Sequence, residues 1–220
     1  MASVLVIPDL HCPFAHPGAF DFLADLRRAY RPTNVICIGD EADMHNFARW
    51  PREVESVGPN EELTALRKSI GRLAKIFPTL TICTSNHTYR PLRKAAGAGL
   101  PASMLAGIRT VLGAPEGWFW VNAAYVDSVA YEHGEGYSGP DGAMRAAQGN
   151  MCNTVIGHIH SHAGVRYQAV RGGRIFGLNV GCLIDITQPA FSYAKHMHAK
   201  PVLGCGLVTD GIPQFVPFAG

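Results

Sequence analysis

The sequence predicts an α/β fold in which a parallel sheet forms the first half and an antiparallel or mixed sheet packs on it from the second. Two observations point that way. Three short β-prone runs in the first half alternate with stretches whose apolar residues recur every three or four positions. From about residue 124 that periodicity gives way to short strand-like runs divided by glycine turns.

In chain order, Val4 to Ile7 is the first strand, and Phe20, Leu23, Leu26 and Tyr30 then mark one face of a helix. Asn34 to Ile38 is the second strand. Leu63, Leu66, Ile70, Leu73 and Phe77 mark the next helix, with Gly58 and Pro59 as cap and first-turn proline. Leu80 to Cys83 is the third strand. Strand, helix, strand, helix, strand requires right-handed crossovers and parallel pairing. Residues 88 to 112 read as helix broken by Pro91 and Pro101. Tyr125 to Tyr131 reads as one alternating strand running into His133, and Thr154 to Ile156 as another. Gly172-Gly173 joins Val165 to Val170 with Arg174 to Val180 as a hairpin, and Asp210-Gly211 joins Gly206 to Thr209 with Ile212 to Phe218. No linker or like-charge block divides the chain, so residues 1–220 are expected to form a single domain.

Composition narrows the class. Hydrophobic residues at 47% and charged residues at 16% exclude intrinsic disorder. No apolar run approaches the ~20 residues that span a bilayer, and MASVLVIPD carries neither a basic leader nor a cleavage site. A soluble cytoplasmic protein with no membrane partner is expected. A net charge of +2 gives no general attraction to polyanions. The six cysteines lack a CxxC pair and fit reduced, buried thiols, Cys12 included.

Each early strand ends in a polar cluster: Asp9-Leu10-His11, Gly39-Asp40-Glu41-Ala42-Asp43 and Ser85-Asn86-His87. His133 and Gly157-His158-Ile159-His160 end two later ones. In parallel α/β sheets these carboxyl ends line the ligand crevice. In extended chain residues i and i+2 share a face, so Asp9 with His11, and His158 with His160, each present two donors to one cavity. Asp9, His11, Asp40, Asn86, His133, His158 and His160 form a thiolate-free set of oxygen and imidazole donors larger than one tetrahedral zinc needs. The set suits two ions of the manganese, iron, zinc or nickel type.

The ordered clusters resemble the calcineurin-like metallophosphoesterases, whose motifs are D-x-H, G-D-x-x-D, G-N-H-[DE], a lone His and G-H-x-H. The resemblance runs from residue 3 to about 182 and leans towards small phage- and bacterial-type members, through Tyr89-Arg90 and Asn179 to Leu183. It implies a four-layer α/β/β/α sandwich, the metallo-dependent phosphatase-like fold, with a binuclear centre at its edge. By the same resemblance Asp9, His11, Asp40 and His160 hold a first divalent ion. Asp40 bridges to a second held by Asn86, His133 and His158, with manganese the first expectation. The implied reaction is phosphoester hydrolysis by metal-activated hydroxide. His87 acts as acid or charge stabiliser and Asp43 as its carboxylate partner. Ser85 and Thr88 depart from the glycine and the acid of the third motif. Serine at a turn that needs positive φ would be strained, and Thr88 removes a supporting carboxylate.

Arg90 is a candidate phosphate clamp and His45 a candidate cleft residue. Arg93, Lys94, His162, His196 and His198 read as solvated groups. Met44 stands where the Ser/Thr protein-phosphatase branch has an arginine, which argues against that branch. The expected substrate is a small phosphoester or a nucleic-acid end, diester or monoester. The competing expectation is a non-catalytic metal-binding scaffold of the same fold used for protein interaction. The sequence carries no reading of the oligomeric state.

Overall fold

The computed structural model describes residues 2–48, 57–191 and 198–219. Its first sheet holds β1 (Ser3–Ile7), β2 (Asn34–Cys37), β3 (Leu80–Cys83) and β4 (Trp118–Val121) as parallel neighbours. The second holds β5 (Ala124–Val126), β6 (Val129–Glu132), β7 (Asn153–Ile156), β8 (Gly164–Val170) and β9 (Gly173–Asn179), ordered β5-β6-β7-β9-β8. The last hairpin, β10 (Gly204–Thr209) and β11 (Ile212–Pro217), returns to the first sheet, where β10 pairs antiparallel with β1. The expectation that the whole second half forms one sheet is therefore corrected. A strand in the middle of a sheet needs a partner on each edge, and β10 supplies β1's second one.

Period-two alternation along β1 makes the layers. Leu5 and Ile7 face outward onto α1 (Ala19–Tyr30) and α2 (Pro59–Ile76), packing with Leu23, Leu66, Ile70 and Leu73. Val4 and Val6 face inward and meet Tyr131, Val155 and Leu178 of the second sheet. On the far side α5 (Gly142–Asn150) lays Ala143 and Ala146 against Ile156 of β7. It sits close because Gly177 has no side chain: a Cβ there would lie 2.3 Å from the Ala143 carbonyl oxygen. Helix, sheet, sheet, helix is the four-layer α/β/β/α sandwich. The caps of α2 follow expectation, with Glu61 accepting the Gly58 N–H at 3.1 Å.

Four local expectations change. Tyr125 to Tyr131 is not one strand, because Asp127 and Ser128 turn with φ of 48° and 62° to make a β5–β6 hairpin. The aromatic run of β4 lies before the predicted change of texture. Helix α5 is built from small residues and lacks the bulky apolar stripe that announces a helix. Pro91 does not break a helix but sits in the first turn of α3 (Arg90–Gly97), where a missing N–H costs nothing. Pro101 does separate α3 from the short turn Ala102–Met104 and α4 (Ile108–Leu112). Among the described residues no single helix is long and apolar enough to cross a membrane.

Candidate metal centre

Every predicted donor lies just past the carboxyl end of a strand: Asp9 and His11 after β1, Asp40 after β2, Asn86 after β3, His133 after β6, His158 and His160 after β7. The chain does not stay extended there. His11, Asp40, Met44 and His158 adopt φ of 47°, 47°, 52° and 64°, conformations that cost non-glycine residues energy and collect at functional sites. The i, i+2 expectation is corrected accordingly, since left-handed turns, not strand alternation, aim these side chains. Hydrogen bonds hold the turns together. Leu10 and His11 donate their N–H groups to the Asp40 carbonyl at 3.1 and 2.7 Å. Leu183 donates to the Asp9 carbonyl at 2.9 Å. Asn179 donates to the Ile159 carbonyl at 3.0 Å and accepts from the Gly181 N–H at 3.1 Å, which fixes the His158–His160 loop. Gly157 is required by space, because a Cβ there would stand 2.3 Å from Asp9 Oδ1 and 2.4 Å from Ile38 Cγ2.

The donors converge in two groups that share Asp40. In one, His160 Nε2 lies 3.0 Å from Asp9 Oδ2 and 3.3 Å from His11 Nε2. In the other, His133 Nε2 lies 3.3 Å from His158 Nδ1 and 2.7 Å from Asn86 Oδ1. Asp40 Oδ2 stands between them, 3.5 Å from His11 Nε2 and 3.3 Å from His133 Nε2. His158 and His160 thus divide between the groups. A divalent cation fits these residues on two counts. Nitrogen and oxygen lone pairs converge on common points, and buried Asp9 Oδ1 has no hydrogen-bond partner.

The electrostatics agree. Burial alone would raise Asp9 and Asp40, but the imidazoles around them hold Asp9 below and Asp40 well below the usual carboxylate range. Burial lowers His11 and His158, helped by the neighbouring rings of His87 and His133. His133 goes the other way. Burial would lower it, yet Asp40 and Asp9 push it up to about 9.

Asp43 accepts from two rings on one oxygen, with Oδ1 2.7 Å from His87 Nδ1 and 2.6 Å from His11 Nδ1. Burial opposes its ionisation, but those two hydrogen bonds hold it below the usual range. The predicted Asp43–His87 pair is present, and the contact to His11 was not foreseen. Arg90 donates to the Asp43 carbonyl at 2.9 Å and lies 3.0 Å from His87 Nε2. His87 also neighbours His11 and Asp40 closely enough to complete a donor group, but both its ring nitrogens already have these partners. His45 meets the site at Asp43, with Nδ1 3.7 Å from Oδ2.

Ser85 is absent from the left-handed region, so the strain anticipated there does not arise. Its hydroxyl instead accepts the buried Asp40 N–H at 2.8 Å, and Thr88 Oγ1 donates to the Ala42 carbonyl at 3.4 Å. The neighbouring glycine is Gly39, at φ 109°. Two contributors were missed. Arg93 donates to the Asn86 carbonyl. Glu41 is fully buried, accepts from Trp120 Nε1 at 2.9 Å, and is pushed up to about 7 by burial. Both lie inside or beside quoted motifs, yet only three-dimensional contact distinguishes them from solvated charges. Cys12 is buried as packing, and His162 bonds Ser161 at 2.9 Å. Lys94 and His198 are exposed, and His196 lies outside the described residues.

Solved structures similar to the chain include the phosphoesterase Yfce from E. coli, at 14% identity and TM-score 0.48, covering 98% of this chain and 92% of that one. Vacuolar protein sorting 29 from Cryptosporidium parvum is similar at 16% and 0.42, covering 97% and 94%. A metallophosphoesterase from Sphaerobacter thermophilus is similar at 14% and 0.39, covering 94% and 82%. No protein-family model and no curated protein sequence matches the chain. In the order of its layers and of its site motifs, the chain resembles the calcineurin-like metallophosphoesterases.

Proposed function

We propose that the chain is a binuclear metal-dependent phosphoesterase acting on a small phosphoester or a nucleic-acid end in the cytoplasm. The observation that supports it most is Asp40 Oδ2, one carboxylate oxygen within 3.5 and 3.3 Å of imidazoles from two separate donor groups. A shared carboxylate is what two cations held ~3.5–4 Å apart require. Asp9, His11, Asp40 and His160 would hold the first, and Asp40, Asn86, His133 and His158 the second, with manganese as the first choice. When bound, the ions would supply charge neutralisation for the phosphoryl oxygens and lower the pKa of water.

The protein's own share falls to His87, Asp43 and Arg90. Asp43 fixes the His87 ring by taking its Nδ1–H, which leaves Nε2 towards the cleft. There it faces the Arg90 guanidinium. An arriving phosphate draws that guanidinium onto its oxygens, as planar N–H pairs favour. His87 Nε2 is then free to carry a proton to the leaving oxygen. His45, behind Asp43, lines the approach.

The test is hydrolysis of bis(p-nitrophenyl) phosphate with added Mn²⁺, followed by His87→Ala. Turnover should require the metal and vanish on chelation. The variant should keep its metal, yet lose about 10²–10⁴-fold on an alkyl ester and far less on a nitrophenyl ester, whose leaving group departs unaided. No turnover by a fully metallated protein would leave the scaffold reading in its place.

A further inference from the structure

We propose that the outer face of α3, α4 and the chain between them docks on an anionic lipid surface, lying against the bilayer without crossing it. Charge is the first observation. Eight of the chain's 19 lysines and arginines, and no aspartate or glutamate, lie between Glu62 and Glu116. The net charge of +2 therefore hides one strongly basic segment. Within it, residues 95–108 carry no charge, and Ser103 is their one polar side chain. Lys94 and Arg109 flank this run, both exposed.

Packing leaves the run uncovered. Helix α3 buries none of its residues. Arg90 and Arg93 turn one side of it to the metal centre, where they reach Asp43 and the Asn86 carbonyl. Helical spacing puts Leu92, Ala95 and Ala96 on the other side. Beyond them Leu100 and Met104 stand 45% and 70% exposed. Contiguous apolar surface of this kind marks an interaction site. Lipid fits it best. A nucleic-acid strand stacks its bases on aromatic side chains, and protein hot spots are built on Trp, Tyr and Arg; the run offers no aromatic residue. An anionic bilayer asks only for apolar side chains among scattered cations. The backbone is prepared as well. Ala98, Gly99, Leu100, Met104 and Leu105 donate their N–H groups within the segment, and Pro101 has none to satisfy. The chain bends by 118° between Arg90–Gly97 and Ala102–Leu112, and neither arm approaches the ~20 residues of a span. The expectation of no membrane partner rested on net charge and span length, and neither registers a basic face with an apolar centre. The docking needs no metal and stands apart from the phosphoesterase reading.

The test is co-sedimentation of the full chain with vesicles of phosphatidylcholine, alone or with about one-third phosphatidylglycerol. EDTA is present, so that no metal–phosphate bridge contributes. Binding should require phosphatidylglycerol. Lys94→Gln should weaken it about fivefold, and Leu100→Glu and Met104→Glu about tenfold or more each. Met151→Glu, at a methionine 87% exposed on another part of the surface, should leave it unchanged. Circular dichroism should show every variant folded, since none of these side chains is buried. No binding to phosphatidylglycerol vesicles, or equal binding by the Leu100→Glu and Met104→Glu variants, would overturn the proposal. A dimer in light scattering that Met104→Glu dissolves would overturn it in favour of a second copy. Tighter binding to a single-stranded oligonucleotide than to vesicles, lost in Lys94→Gln, would overturn it in favour of nucleic acid.

Discussion

Asp43→Asn separates two jobs that the structure gives one carboxylate oxygen. Asp43 Oδ1 accepts from a proposed metal ligand, His11, at 2.6 Å and from the proposed proton donor, His87, at 2.7 Å. Asparagine keeps the shape and an acceptor but loses the charge. Hydrogen bonds to a charged partner contribute about 1.5–3 kcal/mol and neutral ones roughly half as much, so each of the two contacts should weaken by about 1 kcal/mol. That is about fivefold per contact and about 30-fold for both. The His11 share should appear as about fivefold weaker Mn²⁺ binding in a calorimetric titration, and the His87 share only in turnover. At limiting metal, kcat/KM should therefore fall about 30-fold for an alkyl ester and about fivefold for a nitrophenyl ester. Unchanged metal affinity would refute the coupling to His11. Equal losses on both esters would refute the support of a proton donor.

Other outcomes are expected at separate points of the site. Elemental analysis should find two ions per chain in the active protein, and Asp40→Asn should abolish turnover, because the shared carboxylate loses its charge; full activity with one ion would contradict this. His133 must be neutral to coordinate and is pushed up to about 9 without metal. Metal affinity should therefore rise with pH up to about 9 and be accompanied by proton release, and a pH-independent titration would count against it as a ligand. Glu41 has an ordinary value of 4.5 and is raised to about 7 in the fold. Between those values the folded chain holds a proton that the unfolded chain has released, so stability falls as pH rises through that window. The Glu41 share of the loss should level off above pH 7 at about 3 kcal/mol. Urea unfolding of the metal-free protein and of Glu41→Gln at pH 5 and pH 8 isolates it, the variant lacking that share while the histidine contributions remain. Ser85→Ala leaves the buried Asp40 N–H without its acceptor and should cost about 1–3 kcal/mol in the same assay.

What the sequence revealed follows from which signals are local. The strands ending at Ile7, Cys37 and Cys83 and the helix stripes at Leu23 and Leu66 are written in short-range periodicity, as are the polar clusters that follow the strands. All seven metal-site candidates meet in one cleft because strand polarity alone determines which end they occupy. The rest depends on contacts far apart in the chain. That Asp43 serves His11 as well as His87, or that Ser85 receives the Asp40 amide, rests on left-handed turns whose residues are not glycine. No composition rule marks His11, Asp40 or His158 for φ near 50–60°. The return of β10 to β1 was hidden for a similar reason: a hairpin announces its own turn, not the sheet it joins. Helix α5 escaped because Gly177 lets it lie flat on β9, and a close approach needs no bulky stripe.

That returning hairpin also bears on when the centre can exist. Strand β1 carries Asp9 and His11 at its tip and is flanked by β2 on one side and β10 on the other, with Val4 opposite both Asn34 and Val208. During synthesis its second neighbour appears long after β2, and so does Leu183, whose N–H donates to the Asp9 carbonyl. Pairings this distant in sequence are slow to form because their loop-closure entropy must be met before any contact rewards it. A partly made chain can thus display the D-x-H and G-D-x-x-D clusters without the framework that aims them. The donors reach the geometry described above only once the sandwich has closed, so the proposed metal loading is expected to follow folding and not to guide it.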